Sequence, residues 1–204
     1  MTSMILVRHG QTEWNRVERF RGRADIALNE MGIRQAEATA ERLADCEAVA
    51  IYSSPLRRTM MTTQPISHRL ALAGQPVDSL IDIDYGKWQG LSTEEAFERN
   101  SDLYGCWIER PHKVIFPGGE SLQHVRDRVV TVIDKVLAEH KEQLVILISH
   151  VVVCRVFICA VLGLDNSHFW QIGQDVCAIN RIGTRDGKLV LYSLNDTCHL
   201  KGLL

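Results

Sequence analysis

The chain has 204 residues, of which 46% are hydrophobic and 24% are charged, and its formal net charge at pH 7 is −2. This length allows one sizeable core and favours a single domain over residues 1–204, and the composition is that of a globular protein rather than a disordered one. The near-neutral charge provides no electrostatic basis for binding nucleic acid or an anionic membrane, so neither is expected as a partner.

The cysteines and the apolar runs bear on the compartment. The six cysteines include no C-x-x-C pair, and several lie within apolar runs, which is typical of reduced thiols in a cytoplasmic protein. No charged segment followed by an apolar one opens the chain, so no signal peptide is predicted. The longest apolar run, residues 151–164, is interrupted by Arg155 and is too short to cross a bilayer.

The N-terminal segment is an apolar run that ends in polar residues. Residues 4–7 are all apolar, and Arg8, His9 and Gly10 follow directly. Burying unpaired polar groups costs on the order of several kcal/mol, and open α/β sheets hold their ligands at the carboxyl edge. The run therefore predicts a strand that delivers a guanidinium and an imidazole to a ligand site. Taken alone, the motif fits equally well a strand end whose polar residues face water.

An arginine-rich loop follows this strand, with four arginines in residues 16–23. Arginines in such a loop are usually solvated, although loops on a rigid scaffold also collect binding residues. A helix capped by Asn29 is then predicted to run to about residue 44.

The second predicted strand, residues 48–52, leads into a predicted helix start. Ser54 has the chemistry of an N-cap, and Pro55 suits the first helical position. The N–H groups of such a start bind anions well. Arg58 lies in the first turn, where a cation is unfavourable, which indicates a negative group nearby. Pro65 is predicted to kink or end this helix.

The second half of the chain continues to alternate strands and helices. Residues 77–81 are predicted as a third strand, followed by a glycine-punctuated loop that contains Asp82 and Asp84. Residues 144–148 form an unalternating apolar strand, typical of the middle of a parallel sheet, which ends at Ser149 and His150. Further predicted elements are short helices over 93–110, helices over 121–140 and 151–162, and a hairpin-like pair of strands over 175–182 and 188–194.

Alternating strands and helices predict a three-layer α/β sandwich, with a mostly parallel central sheet and helices on both faces. The carboxyl ends of parallel strands share one edge, so Arg8 and His9, Arg58, His150 and Asp82 are expected to converge there. Two guanidinium groups and two imidazoles repel one another unless an anion lies between them. A phosphate fits, because it carries about −1.5 to −2 charges and accepts bidentate arginine bonds. The carboxylate supplies an acid/base group.

The motifs resemble those of the histidine phosphatase superfamily, which contains cofactor-dependent phosphoglycerate mutases, bisphosphatases and α-ribazole phosphatases. Five segments appear in the family's order and span almost the whole chain: Arg8-His9-Gly10 with Thr12 and Asn15, residues 53–58 (SSPLRR), residues 85–90 (YGKWQG), residues 117–121 (PGGES), and Ser149-His150. The resemblance implies a phosphoglycerate mutase-like fold.

The resemblance also implies roles for these residues. His9 would be the nucleophile and would form a phosphohistidine, for which its imidazole must be neutral, and the neighbouring arginines should lower its pKa. The groups implied to hold the phosphoryl oxygens are Arg8, Arg58, His150 and Asn15. No metal and no cofactor is expected, because the fixed cations neutralise the phosphate charge. The expected substrate-binding set is Asn15, Arg21, Gly22, Tyr85 and Val151.

This chain departs from the family pattern at three positions. Asp82 occupies the place where most members have the glutamate that protonates the leaving oxygen and then activates water. Asp84 is an alternative, but strand-like alternation turns the two side chains to opposite faces and favours Asp82. Val151 replaces a common glycine while retaining a backbone N–H for phosphate. Arg21 replaces an uncharged residue and is predicted to select a second negative group on the substrate.

A phosphatase that acts on a small phosphomonoester is the leading hypothesis. Phosphoglycerate mutase is the alternative, but mutases carry a long insertion that excludes water, whereas about thirty residues lie between Gly90 and Ser121 here, so water should enter. A catalytically silent phosphate-binding module is a further alternative, although it predicts a missing nucleophile or ligand. The terminal pair of strands predicts an edge for a homodimer.

Overall fold

A six-stranded sheet forms the centre of the computed structural model, which describes residues 1–203. The strands are Ser3–Arg8 (β1), Ala48–Ser53 (β2), Gly74–Pro76 (β3), Leu144–Ser149 (β4), Ile179–Arg185 (β5) and Lys188–Asp196 (β6). Their order is β3-β2-β4-β1-β5-β6. The pairs β1–β4, β2–β4 and β2–β3 are parallel, whereas β5 is antiparallel to both β1 and β6. The predicted mostly parallel sheet is confirmed.

Helices cover both faces of this sheet. They are Glu13–Arg16 (α1), Glu30–Arg42 (α2), Arg57–Leu70 (α3), Thr93–Arg99 (α4), Ser101–Glu109 (α5), Leu122–Glu139 (α6) and Val151–Val161 (α7). The apolar side chains of β1 alternate between two core clusters: Ile5 and Val7 pack with residues of α2 and α3, whereas Met4 and Leu6 pack with residues of α6 and α7. The predicted three-layer sandwich is therefore confirmed.

The register of the central strands brings three chain segments to one edge. Arg8 pairs with Ser149 at the ends of β1 and β4. Just beyond the strands, the His9 N–H donates to the Ser149 carbonyl at 2.9 Å, and the Ser54 N–H donates to the Ile148 carbonyl at 3.0 Å. His9, Ser54 and His150 thus follow the ends of three neighbouring strands at the same edge of the sheet.

The strand predicted over residues 77–81 is wrong. β3 lies earlier, and Asp78–Leu80 is a 3₁₀ turn. The pairing of β3 with β2 ends at Pro76, and proline has no N–H with which to continue a ladder. The chain then turns inward, which buries Leu80 and lets its carbonyl accept a 2.7 Å hydrogen bond from Ser149 Oγ.

The predicted start of α3 is also wrong, and the helix does not end early at Pro65. The N-cap is Leu56 rather than Ser54, because the Ser54 side chain hydrogen-bonds to a histidine ring instead. Pro65 lies inside α3, which continues to Leu70. Packing of α3 on α2 and on the sheet outweighs the backbone hydrogen bond that proline removes.

Two further observations concern the described part of the chain. Within residues 1–203, no helix combines the length and the apolar character needed to span a membrane. All six cysteines are free thiols. β6 lies at an edge of the sheet, and the homodimer expected there stays a prediction.

Candidate active site

His9 directly follows β1 and is fully buried. Its Nδ1 lies 2.7 Å from the Gly10 carbonyl oxygen, which can only accept, so Nδ1 carries the proton and Nε2 carries the lone pair. Nε2 has no hydrogen-bond partner among the described residues. Burial lowers the pKa of His9 well below its ordinary value, and the charges of Arg58 and Arg8 lower it further. The ring is therefore a neutral imidazole with an unengaged nitrogen.

His150, the residue between β4 and α7, faces His9. The two ring centroids are 5.2 Å apart, so the histidines predicted to meet at one edge do meet. His150 Nδ1 accepts a 3.1 Å hydrogen bond from Arg58 Nε, and its Nε2 lies 2.7 Å from Ser54 Oγ. Burial and Arg58 lower the pKa of His150 well below its ordinary value. Sequence reasoning missed Ser54 as the partner that holds this ring.

Arg58 lies in the first turn of α3 and is fully buried. Besides His150, it donates to the carbonyl oxygens of Ala24 and Gly22, each at 2.7 Å, and to Asp82 Oδ2 at 3.1 Å. Four of its five N–H groups are therefore held by protein acceptors. The arginine-rich loop that supplies Ala24 and Gly22 folds over the strand ends rather than extending into solvent.

Asp82 joins this cluster, and Asp84 does not. Asp82 is buried; besides the bond from Arg58, its Oδ1 accepts a 3.0 Å hydrogen bond from the Ile83 N–H. Burial raises the pKa of Asp82, although the charge of Arg58 opposes the rise. Asp84 instead pairs with Arg23 at 3.7 Å. The opposite orientation of the two carboxyl groups matches the alternation expected from the sequence.

A cavity of about 380 Å³ opens beside the cluster. Arg8 and Asp82 line it, together with four members of the expected substrate-binding set: Asn15, Arg21, Tyr85 and Val151. Gly22 is not among the lining residues; its carbonyl oxygen anchors Arg58. A larger cavity, about 840 Å³, includes Ser3 and Leu144 at the opposite ends of β1 and β4 and contains none of these groups.

Arg8 and Arg21 carry unengaged N–H groups. Arg8 donates from Nη1 to the Gln174 carbonyl, and Arg21 donates from Nη1 to the Trp14 carbonyl at 3.1 Å. The Nε atom of each is buried and has no hydrogen-bond partner in the described chain. Burial, with help from Arg21, lowers the pKa of Arg8 to about 10, so the side chain remains a cation at neutral pH.

The cluster combines three guanidinium groups with one carboxyl group and two neutral imidazoles. Unpaired buried charge is costly, so this excess of positive charge favours an anion between the arginines. An unengaged imidazole nitrogen and a carboxyl group with a raised pKa are the nucleophile and the acid required to displace an alcohol from a phosphate ester. Among residues 1–203, no group of three or more His, Cys, Asp or Glu side chains is arranged to hold a metal ion.

Comparison with known proteins decides the family. The model of the histidine phosphatase superfamily (branch 1) matches residues 4–197. The chain belongs to the histidine phosphatase superfamily. This phosphatase is 41% identical over 200 residues to phosphoserine phosphatase 1 of Hydrogenobacter thermophilus, covering 98% of this chain and 95% of the relative. It is 31% identical to a metal-independent phosphoserine phosphatase of Arabidopsis thaliana, covering 100% and 85% of the two chains.

A solved structure supports the same assignment. A mutant phosphoserine phosphatase from Entamoeba histolytica, crystallised in complex with phosphoserine, superposes with a TM-score of 0.89 at 27% identity, covering 98% of this chain and 100% of the other. The phosphatase therefore has the phosphoglycerate mutase-like fold that the motifs predict.

Among the lining residues that sequence reasoning missed, one carries a charge on a helix of the sandwich. Arg155, on α7, faces the same space as Arg8 and Asp82. Its signal in the sequence is a lone charge within an apolar helix, and the residues it contacts lie fourteen to seventeen positions further along the chain.

Proposed function

We propose that this phosphatase hydrolyses small phosphomonoesters through a phosphohistidine at His9. The observation that carries the proposal is the Nε2 atom of His9, which is buried, lacks a partner and bears a lone pair beside Arg8 and Arg58. Hydrogen bonding at Nδ1 fixes the tautomer, and the positive surroundings keep the ring neutral. A neutral imidazole with a free lone pair can attack phosphorus without first losing a proton.

The first half-reaction transfers the phosphoryl group to His9. Nε2 forms a bond to phosphorus while the bond between phosphorus and the ester oxygen breaks. Asp82, whose pKa is raised by burial, acts as the acid and gives its proton to the leaving oxygen. The Nε groups of Arg8 and Arg21 are available to bind the equatorial oxygens, and loss of one such contact typically costs about 2.7–4 kcal/mol in the barrier.

The second half-reaction returns His9 to its starting state. Water attacks phosphorus, the bond from phosphorus to Nε2 breaks, and the Asp82 carboxylate takes the proton of the attacking water. Phosphate leaves, and Asp82 is protonated again. Arg58 holds the Asp82 carboxyl group and the His150 ring in position throughout, while Asn15 lines the cavity wall. We propose that the fixed arginines supply the positive charge, so that no metal ion takes part.

L-Phosphoserine is the first substrate to test. Both relatives compared above are named phosphoserine phosphatases, and the structural neighbour was crystallised with phosphoserine. A cavity of about 380 Å³ suits a metabolite of this size. We expect phosphoserine to lead a panel of phosphomonoesters ranked by kcat/KM, ahead of sugar phosphates and α-ribazole phosphate.

Rapid alkaline-quench experiments test the phosphohistidine. With radiolabelled phosphoserine, the wild-type protein should release phosphate and show an acid-labile, alkali-stable phosphoryl adduct. His9→Ala should abolish both, whereas His68→Ala, which removes an exposed histidine of α3, should abolish neither. Adduct or turnover that persists in His9→Ala would refute the assignment. Conversion of 3-phosphoglycerate to its 2-isomer in place of phosphate release would favour a mutase.

A further inference from the structure

Arg155 is the one charged residue of α7, whose other residues are apolar. Its side chain lines the site cavity together with Arg8, Asp82 and Tyr85. Burial is the main cause that lowers the pKa of Arg8, and the charges of Arg21 and Arg155 add to it. Arg155 therefore lies close enough to the phosphoryl site to act on it electrostatically, although the catalytic steps described above do not use it.

The guanidinium group of Arg155 is held in one orientation. Its Nε donates a 2.8 Å hydrogen bond to the Ile172 carbonyl. Its central carbon lies 5.1 Å from the ring centroid of Phe169 and 4.8 Å from that of Trp170, distances typical of cation–π contacts. Trp170 is itself fixed by a 2.8 Å bond from its indole N–H to the Trp107 carbonyl. Because the group is already ordered, a ligand that binds it loses little side-chain entropy.

The two terminal nitrogens of Arg155 have no acceptor within residues 1–203. The protein contacts engage Nε alone, and no described carboxylate lies within ion-pair distance. Asp175, whose charge acts on Arg155, is bonded to the Asn195 amide instead. A pair of parallel Nη–H groups matches the two oxygens of a carboxylate.

Arg21 does not fill this role. The pKa values of His9, Arg8, Arg58 and Asp82 are set first by burial, and the charge of Arg21 is among the further causes at all four. Arg21 thus belongs with the phosphoryl group, whereas Arg155 is fixed by the Ile172 carbonyl and the Phe169–Trp170 pair.

We propose that Arg155 receives a carboxylate of the substrate and so selects phosphomonoesters of carboxylic acids. The proposal rests on the proposed function, since the ester must place its phosphoryl group at His9. Tyr85 is buried, lines the same cavity and packs between Phe20 and Phe116. It contacts the carboxylate end of the substrate. The Phe169–Trp170 pair is the platform that positions Arg155.

A matched pair of substrates tests the assignment. Phosphoserine and phosphoethanolamine differ by one carboxylate, so the ratio of their kcat/KM values measures recognition of that group. The ratio should favour phosphoserine in the wild-type protein and should fall at least tenfold in Arg155→Met, mainly through KM. Arg155→Lys keeps the charge but loses the pair of parallel Nη–H groups, so its ratio should lie between those of the wild-type protein and Arg155→Met. Arg185→Met, the same change at an exposed position of β5, should keep the wild-type ratio.

Binding separates this proposal from the proposed function. Calorimetry measures binding without turnover and can therefore be carried out in the His9→Ala protein. In that protein, Arg155→Met should remove the preference for phosphoserine over phosphoethanolamine. An unchanged preference, or an equal loss of affinity for both esters, would overturn the assignment of Arg155. A preference that depends on Arg155, together with absence of the phosphohistidine adduct in the protein that retains His9, would support the carboxylate receptor while refuting the nucleophilic mechanism.

Discussion

At the scale of single residues, the protonation state of the site follows from burial. His9 and His150 are both fully buried beside Arg58, which keeps their pKa values well below the ordinary value of histidine. Asp82 is buried in the same place, yet its pKa rises. The same desolvation therefore shifts both kinds of group towards their neutral forms. A neutral nucleophile and a protonated acid are the starting state that phosphoryl transfer to a histidine requires.

Removing the acid should make the first turnover depend on the leaving group. We expect Asp82→Asn to slow phosphorylation by phosphoserine by about 10²–10⁴-fold, the usual contribution of general acid catalysis. p-Nitrophenyl phosphate has a leaving group that departs without a proton, so its single-turnover burst should persist. In the wild-type protein, the rate of phosphorylation by phosphoserine should fall as pH rises through the raised pKa of Asp82. This decrease with pH should be absent in Asp82→Asn.

Asp84→Asn is the matched control, because Asp84 pairs with Arg23 away from the cavity. Its burst and its pH profile should match those of the wild-type protein. Leaving-group dependence in Asp84→Asn, with normal phosphorylation in Asp82→Asn, would reverse the assignment of the two carboxyl groups.

At the scale of elements, the start of α2 supports the loop that carries His9. Gly32 lies so close to this loop that a Cβ there would be 2.0 Å from the Gln11 carbonyl oxygen and 2.8 Å from the Gln11 nitrogen. The two backbones are also joined at Asn29, whose N–H donates to the Gln11 carbonyl at 3.0 Å. Any side chain at position 32 must therefore move residues adjacent to the nucleophile.

Gly32→Ala should reduce both stability and activity. We expect the free energy of unfolding in urea to fall by about 1–3 kcal/mol, the usual cost of overpacking, and kcat to fall because His9 is displaced. Gly105→Ala is the control, since a Cβ on Gly105 meets nothing within 4 Å. In the interior of α5 it should raise the free energy of unfolding by about 0.5–1 kcal/mol. A Gly32→Ala protein as stable and active as the wild type would contradict this view.

Sequence reasoning succeeded where a local pattern determines the structure. The apolar runs stop at Arg8, Ser53 and Ser149, so the strand ends and the groups that converge there follow from the sequence. It failed where distant contacts decide. Serine is a common N-cap residue, but the side chain of Ser54 hydrogen-bonds to the ring of His150. The orientation of Arg155 depends on a carbonyl seventeen residues away, which no periodicity reveals.

At the scale of the whole molecule, the buried site links stability to pH. In the unfolded chain, His9 and His150 regain ordinary pKa values near 6.5, whereas in the folded protein both pKa values lie well below this. Below about pH 6.5 the unfolded chain therefore binds protons that the folded protein does not, and the free energy of unfolding falls as pH falls. Asp82 acts in the opposite sense: its raised pKa favours the folded state as pH falls towards its unfolded value.

The two buried histidines lower the free energy of unfolding as pH falls, and only one carboxyl group raises it. The protein should therefore lose stability in acid. Each ring contributes a slope of up to about 1.4 kcal/mol per pH unit, so urea unfolding between pH 8 and pH 5 should show stability declining below about pH 6.5. His150→Gln can accept from Arg58 and donate to Ser54 without titrating, and it should remove part of this slope. His68→Gln, which replaces an exposed ring, controls for the substitution itself. A slope that is the same in His150→Gln and the wild-type protein would mean that protonation of the buried site is not what destabilises the fold in acid.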